Sequence, residues 1–281
     1  DSEIFNVPFS IKSFFNYDRS KIFSQLDINL LKFKIKNELN LNKENKTGKS
    51  ELILEKIKRI VEYQIEKNYF NFQVFDKIDE PNITYQGKFN LKPFYASLDG
   101  ELNEINLSSL FGSNPVIVQL LKTELFNNKN IEFKLNMNAK NVHDYVNFRN
   151  INLRSKIQDG LIDVDETKFE WRDFVYFELL ESLIFVKNGE LVLDGVLKIN
   201  IIDYNKLYKF LLTPKNYRNE IEQIDLNFTY NFDQNIAELK DIKIDNEINE
   251  NVNKILNNVI LKKDDLQNKI YFKKLLNEAV K

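Results

Sequence analysis

Residues 181–203 read ESLIFVKNGELVLDGVLKINIID. Asn188-Gly189 stands between two apolar, alternating segments, and that dipeptide accepts the positive φ that a type I′ turn demands at both central residues. The stretch is therefore a β-hairpin. Asp194-Gly195 follows only five residues later, so it reads as a bulge or kink inside a longer strand. Asp99-Gly100 and Asp159-Gly160 occupy comparable positions and predict two further hairpin turns. Strands with period-two alternation surround them: Ile131, Phe133, Leu135, Met137 and Ala139 in one, Ile224, Leu226, Phe228, Tyr230 and Phe232 in another. Each is a half-buried strand. Leu26 to Ile35 alternates too, but the phase slips at Leu30-Leu31, which predicts a bulge that keeps one face apolar.

Helical spacing is the minority signal. Asn114-Pro115 reads as an N-cap and first-turn proline, followed by Val116, Val118, Leu120, Leu121 and Leu125. A second helix is expected from Asp203 to Leu212, stopped by Pro214. Ile248, Val252, Ile255, Leu256, Val259 and Ile260 fall on one helical face, and a last helix is expected from Asp264 to Ala279. These elements divide the chain into a β-rich segment 1–110, a meander with two helices over 111–245, and helices over 246–281.

The 281 residues carry 40 Lys+Arg against 42 Asp+Glu, one His, no Cys and 43% hydrophobic residues. A net charge of -2 with mixed signs supplies no basic field for nucleic acid. The absence of cysteine excludes disulfides, thiolate nucleophiles and Cys-based zinc sites. No run approaches the roughly 18 apolar residues of a membrane span. Asn, Lys, Ile, Phe and Tyr abound while alanine is scarce, the bias of AT-rich codons. Asn-X-Ser/Thr triplets at Asn45, Asn82, Asn106 and Asn227 are accordingly read as chance matches. The chain opens at Asp1 with no signal segment, as a piece of a longer protein would.

Area decides between architectures. About ten strands of about eight residues, spaced by roughly 4.8 Å, present on the order of 1,300 Å² per face. Four helices hide about 800 Å² of that. The roughly 500 Å² left over matches the largest apolar patch of an ordinary monomer. Either the sheet closes as a sandwich or barrel, or it curls into a trough whose lining is kept for an apolar ligand. Alternation is the same in both.

Chemical constellations are sparse. His143 beside Asp144 has no second histidine to complete a common metal set and reads as a surface residue. Asp163, Asp165 and Glu166 resemble part of a calcium loop but lack its spacing, and read as the polar end of a strand. KTGKS at 46–50 and Gly112 lack the full phosphate-loop spacing; the former reads as a mobile polar connection. Ser108 and Ser109 have no nucleophile-elbow context. Trp171, Phe169, Phe174 and Arg172 could stack a base or sugar, but at strand spacing they read as core. No catalytic residue, metal or cofactor is proposed.

From Phe111 onward the chain resembles the C-terminal region of the AsmA-like family, which includes AsmA, TamB and YhdP. The likeness is carried by NPVIVQLLKTELF, NIEFKLNMNAKNV, NINLRSKIQDGLIDVDETKFEW and the 181–203 hairpin, with YQGKFNLKPFYASLDGEL as an earlier repeat of the same kind. The resemblance implies a bridge-like lipid-transfer protein. An inner-membrane helix outside this chain would anchor it in the periplasm, and an apolar concave face would carry phospholipid acyl chains toward the outer membrane. It tips the choice of architecture: a mainly β chain, a long curled antiparallel β-meander (open trough or taco-like sheet) with a few short covering helices. The expected function is non-enzymatic lipid transport in outer-membrane biogenesis, with phospholipid as partner. Phe133, Leu135, Met137, Leu191, Leu193, Leu226 and Phe228 are the candidate groove-lining residues. The competing expectation is a closed sandwich-like structural or protein-binding module without lipid.

Overall fold

Alternation becomes pairing in the computed structural model, which describes residues 2–4, 7–29, 32–41, 46–54, 57–75, 83–91, 94–106, 118, 121–122, 131–143, 145–158, 161–248, 250, 253 and 260–262. The chain is mainly β, and each strand pair whose register is described is antiparallel. Two compact units divide between Glu101 and Leu102.

The first unit is a meander: β1 (Ser2–Ile4), β2 (Val7–Asn16), β3 (Lys21–Ile28), β4 (Phe33–Asn40), β5 (Lys46–Leu54), β6 (Ile57–Glu66), β7 (Tyr69–Phe75), β8 (Ile83–Leu91) and β9 (Phe94–Ile105), within which the division falls. Each strand pairs with the next in sequence. The phase slip near Leu30 is a turn and not a bulge: Ile28 pairs directly with Phe33, and Lys32 takes a positive φ of 49°. Leu30 and Leu31 themselves lie outside the described residues. Asp99-Gly100 is likewise no turn. It sits inside β9, with Gly100 opposite Tyr85. KTGKS is not a loop but the start of β5. A Cβ on Gly48 would stand 2.1 Å from the Tyr63 ring, so the glycine makes room for that ring on the sheet face.

The second unit continues with β10 (Ile131–Val142), β11 (Phe148–Gln158), β12 (Leu161–Asp163), β13 (Lys168–Trp171), β14 (Val175–Lys187) and β15 (Glu190–Ile201). Helix α1 (Tyr204–Leu211) follows, then β16 (Gln223–Asn231), β17 (Ile236–Ile244), β18 (Glu247–Ile248) and β19 (Ile260–Lys262). β12 and β13 lie end to end, both between β11 and β14. Asn188 and Gly189 form a two-residue turn with φ of 54° and 79°, joining Lys187 to Glu190 as the dipeptide predicts. Gln158 pairs with Leu161 across Asp159-Gly160, which lies outside the described residues. Opposite Gly195, β14 carries a bulge: Leu180 pairs with Val196 and Leu183 with Asp194, leaving Glu181 and Ser182 against one residue. The irregularity anticipated at Asp194-Gly195 is thus real, and its extra residue belongs to the partner strand.

Asp203 caps α1 by accepting a hydrogen bond from the Lys206 amide at 2.9 Å. Leu212 closes it in the left-handed conformation, two residues before Pro214. Over 248–260 the helical reading fails at both ends, because Ile248 belongs to β18 and Ile260 to β19, each paired with β17. Glu250 and Asn253 between them are helical. Of the expected 114–126 helix, Val118, Leu121 and Lys122 are described and are helical; Asn114 and Pro115 lie outside the described residues, as does the whole of 264–279.

Candidate functional site

Directly opposed residues of an antiparallel ladder point to one face, and the registers carry a single apolar face across the second unit. Phe133 and Met137 pair with Ile157 and Leu153. Ile157 then pairs with Ile162, and Ile162 with Ile184. Ile184 pairs with Leu193, Val186 with Leu191, Leu197 with Leu226, and Gly195 with Phe228. All seven candidate lining residues therefore share this face.

They do not share an environment. Leu191 is 0% exposed, packed in a cluster with Val118, Ile157, Ile162, Val164 and Ile184. It is core, a correction to its reading as groove wall, and Phe133 and Leu193 pack against the same cluster. The cluster is sealed from above by Val118 and Leu121. Lys122 beside them pairs with Asp233 at 2.6 Å, whose other oxygen accepts from the Leu191 amide at 2.8 Å. Met137 belongs to a second cluster with Ile105, Ala139, Val142 and Ile151. Helix α1 covers the opposite end of the face, setting Leu207 and Leu211 on Phe174 and Val175, and Tyr208 on Ile221 and Ile224. Leu135, Leu226 and Phe228 remain half-buried and belong to none of these clusters.

The first unit also presents an apolar face, which the sequence reading left without site residues. Leu26, Ile35 and Leu52 form one cross-strand row. Ile22, Leu39, Tyr63, Phe72 and Leu98 share another with Gly48 and Gly87. Phe70 stacks on Phe89 at 4.3 Å and on Tyr63 at 4.7 Å. Only Ile60 and Val61 of this unit are among the buried hydrophobic residues described, so most of its apolar side chains stay half-exposed. A short polar inset crosses the face: Asn37 Oδ1 accepts from Ser50 Oγ at 2.7 Å and from Tyr63 Oη at 2.6 Å. Burial pushes the Tyr63 phenol above its ordinary range, against the pull of Asn37. The period-two run Phe70, Phe72, Val74 was the available signal for this face.

The residues weighed for chemistry have structural partners. His143 is surface-exposed, with Nδ1 3.1 Å from Glu104. Asp144, Ser108, Ser109 and Gly112 lie outside the described residues. Trp171 meets Phe174 and Phe210 edge-on at 5.2 and 5.0 Å, under helix α1. Asp163 accepts from the Asp165 amide at 2.8 Å, Asp165 accepts from the Ser182 amide in the bulge, and Glu166 pairs with Arg154. Among the described residues no group of carboxylates and histidines could hold a metal.

Burial pushes the Asp165 carboxyl above its ordinary range, opposed by the Ser182 amide and reinforced by Asp163, Glu181 and Glu166. A raised carboxyl binds its proton more tightly in the folded state, so this group costs stability as pH rises from the unfolded value through the folded one. Asp165→Asn keeps the acceptor and removes the charge. The variant is expected to melt higher than the parent at pH 7, with the gap narrowing as pH falls through the raised folded value and closed below about 4, read by thermal denaturation across pH. An equal offset at every pH would refute the charge origin.

Comparison with protein-family models, characterised proteins and solved structures finds no match to this chain. Among the described residues, no helix is long and apolar enough to cross a membrane.

Proposed function

We propose that this chain is a non-enzymatic carrier segment that holds phospholipid acyl chains against the apolar face of its meander, as the AsmA-like resemblance implies. The observation that carries the reading is the first unit's apolar face, on which no described element packs. Nine strands at about 4.8 Å spacing give such a face on the order of 1,000 Å², beyond the largest patch of an ordinary soluble monomer. Acyl chains suit it because each CH₂ leaving water contributes roughly 0.8 kcal/mol without any directional contact. Half-exposed rows such as Leu26, Ile35 and Leu52 offer that contact along the sheet. On this reading the chain works in the periplasm, held to the inner membrane by a segment outside it, and supports outer-membrane assembly.

Native mass spectrometry and lipid extraction of the purified chain test the proposal. The parent protein is expected to carry phospholipid, and Leu52→Asp or Leu226→Asp to lose most of it with an unchanged circular dichroism spectrum. A lipid-free parent, or folded variants with full lipid content, would count decisively against it.

A further inference from the structure

A groove lies on the other face of the first unit. It occupies about 760 Å³ within the first unit and crosses β3 to β9 at right angles to the strands. Six interstrand spacings of about 4.8 Å make it about 29 Å long. Its walls are two unbroken register rows. One links Glu38, Lys49, Glu62, Gln73, Gln86 and Asp99. The other, two residues along each strand, runs from Lys21 through Thr47, Gln64 and Asn71 to Ser97.

Its chemistry is specific in what it omits. Lys21, Lys49 and Lys88 balance Glu38, Glu62 and Asp99, and two of these cations already face carboxylates: Lys21 pairs with Glu38, and Lys49 with Glu62 at 3.0 Å. A balanced lining neither gathers a polyanion such as nucleic acid nor repels an uncharged chain. The amides of Asn71, Gln73 and Gln86 make no side-chain hydrogen bond among the described residues, and each presents both donors and an acceptor. Backbone groups on β3 to β8 are engaged with neighbouring strands on both sides, so a peptide cannot add as a further strand. Aromatic rings flank the polar floor. Phe14, 63% exposed, stacks on Phe23 at 4.9 Å beside Glu38, and Lys88 lies 4.0 Å over the Tyr69 ring.

We infer that this groove binds an extended, uncharged, hydroxyl-rich chain, a neutral oligosaccharide. Sugar hydroxyls both donate and accept, which matches the free amides, and the CH face of a sugar ring lies well on an exposed aromatic such as Phe14. The inference does not depend on lipid carriage, which uses the opposite face.

Titration calorimetry of the full 281-residue chain with maltohexaose, cellohexaose and hexa-N-acetylchitohexaose tests it, with a heparin hexasaccharide and an uncharged extended peptide as comparison probes. At least one neutral hexasaccharide is expected to bind, and neither comparison probe. The exposed pair Gln73→Ala/Gln86→Ala is expected to weaken binding about tenfold through two lost hydrogen bonds. Phe14→Ala weakens it as well, while Leu52→Asp on the other face leaves it unchanged. The inference is overturned if no neutral hexasaccharide binds, if heparin or the peptide binds in their place, or if the folded double variant binds like the parent.

Discussion

Leu191→Ala is expected to destabilise the second unit by about 3–4 kcal/mol, within the range for emptying a well-packed leucine site. The side chain is 0% exposed and is touched on several sides by Val118, Ile157, Ile162, Val164 and Ile184. Collapse around the cavity is limited because both backbone groups of Leu191 are held: its amide donates to Asp233 at 2.8 Å, and its carbonyl accepts from Phe232 at 3.0 Å. At this size the loss corresponds to a drop in melting temperature of about 10 °C. Leu191→Met conserves volume and should cost less than about 1.5 kcal/mol. Urea denaturation of both variants measures the difference. A loss below about 1 kcal/mol for the alanine variant would show that Val118 does not close over this position, and would return Leu191 to the open face.

The strands were legible wherever the side chains alternate cleanly, as in Ile131 to Ala139, because a face half in water imposes period two on the residues themselves. Turns were legible only when they use glycine at positive φ, as Gly189 does at 79°. Several others place Ser20, Lys67, Asn235, Asp245 or Asn246 there instead; serine and lysine give no signal of it, and asparagine and aspartate, which tolerate it, are too abundant in this sequence to mark a turn alone. The converse error at Gly100 has the same root. A glycine next to aspartate suits a turn, yet a strand also accommodates it, and here Gly100 is paired with Tyr85 inside β9. At Ile248 and Ile260 the helical spacing was met by residues that pair as short strands with β17, overriding local periodicity at those two positions, while Glu250 and Asn253 between them are helical.

Site residues were harder to read than elements. That Phe133, Leu193 and Leu226 share a face follows from alternation once the registers are known, but that Leu191 is sealed while Leu226 is half-open depends on where Val118 and helix α1 come to rest. The polar groove was invisible for a related reason. Its walls take alternate residues from seven strands between Lys21 and Asp99, each ordinary as the solvated side of its own strand. Only the registers line them up.

The bulge opposite Gly195 yields the second large effect. A Cβ on this glycine would stand 2.1 Å from Ser182 Oγ and 2.8 Å from Ser182 Cα, and the second of these is backbone. Ser182 has no room to retreat: it is 0% exposed, its hydroxyl donates to the Leu180 carbonyl at 2.8 Å, and its amide donates to Asp165. Gly195→Ala must therefore push β14 away from β15, disturbing pairings that extend to β16 through Gly195 and Phe228. The expected cost is about 3 kcal/mol, the upper end for overpacking a filled site. Ser182→Gly in the same chain removes the hydroxyl and its Cβ, while the backbone of residue 182 still crowds the new methyl group. The double variant should recover part of the loss, with a coupling above about 1 kcal/mol between the two positions. Denaturant melts of the four proteins in that cycle measure it. Strict additivity would mean that the glycine is required for a reason other than its approach to Ser182.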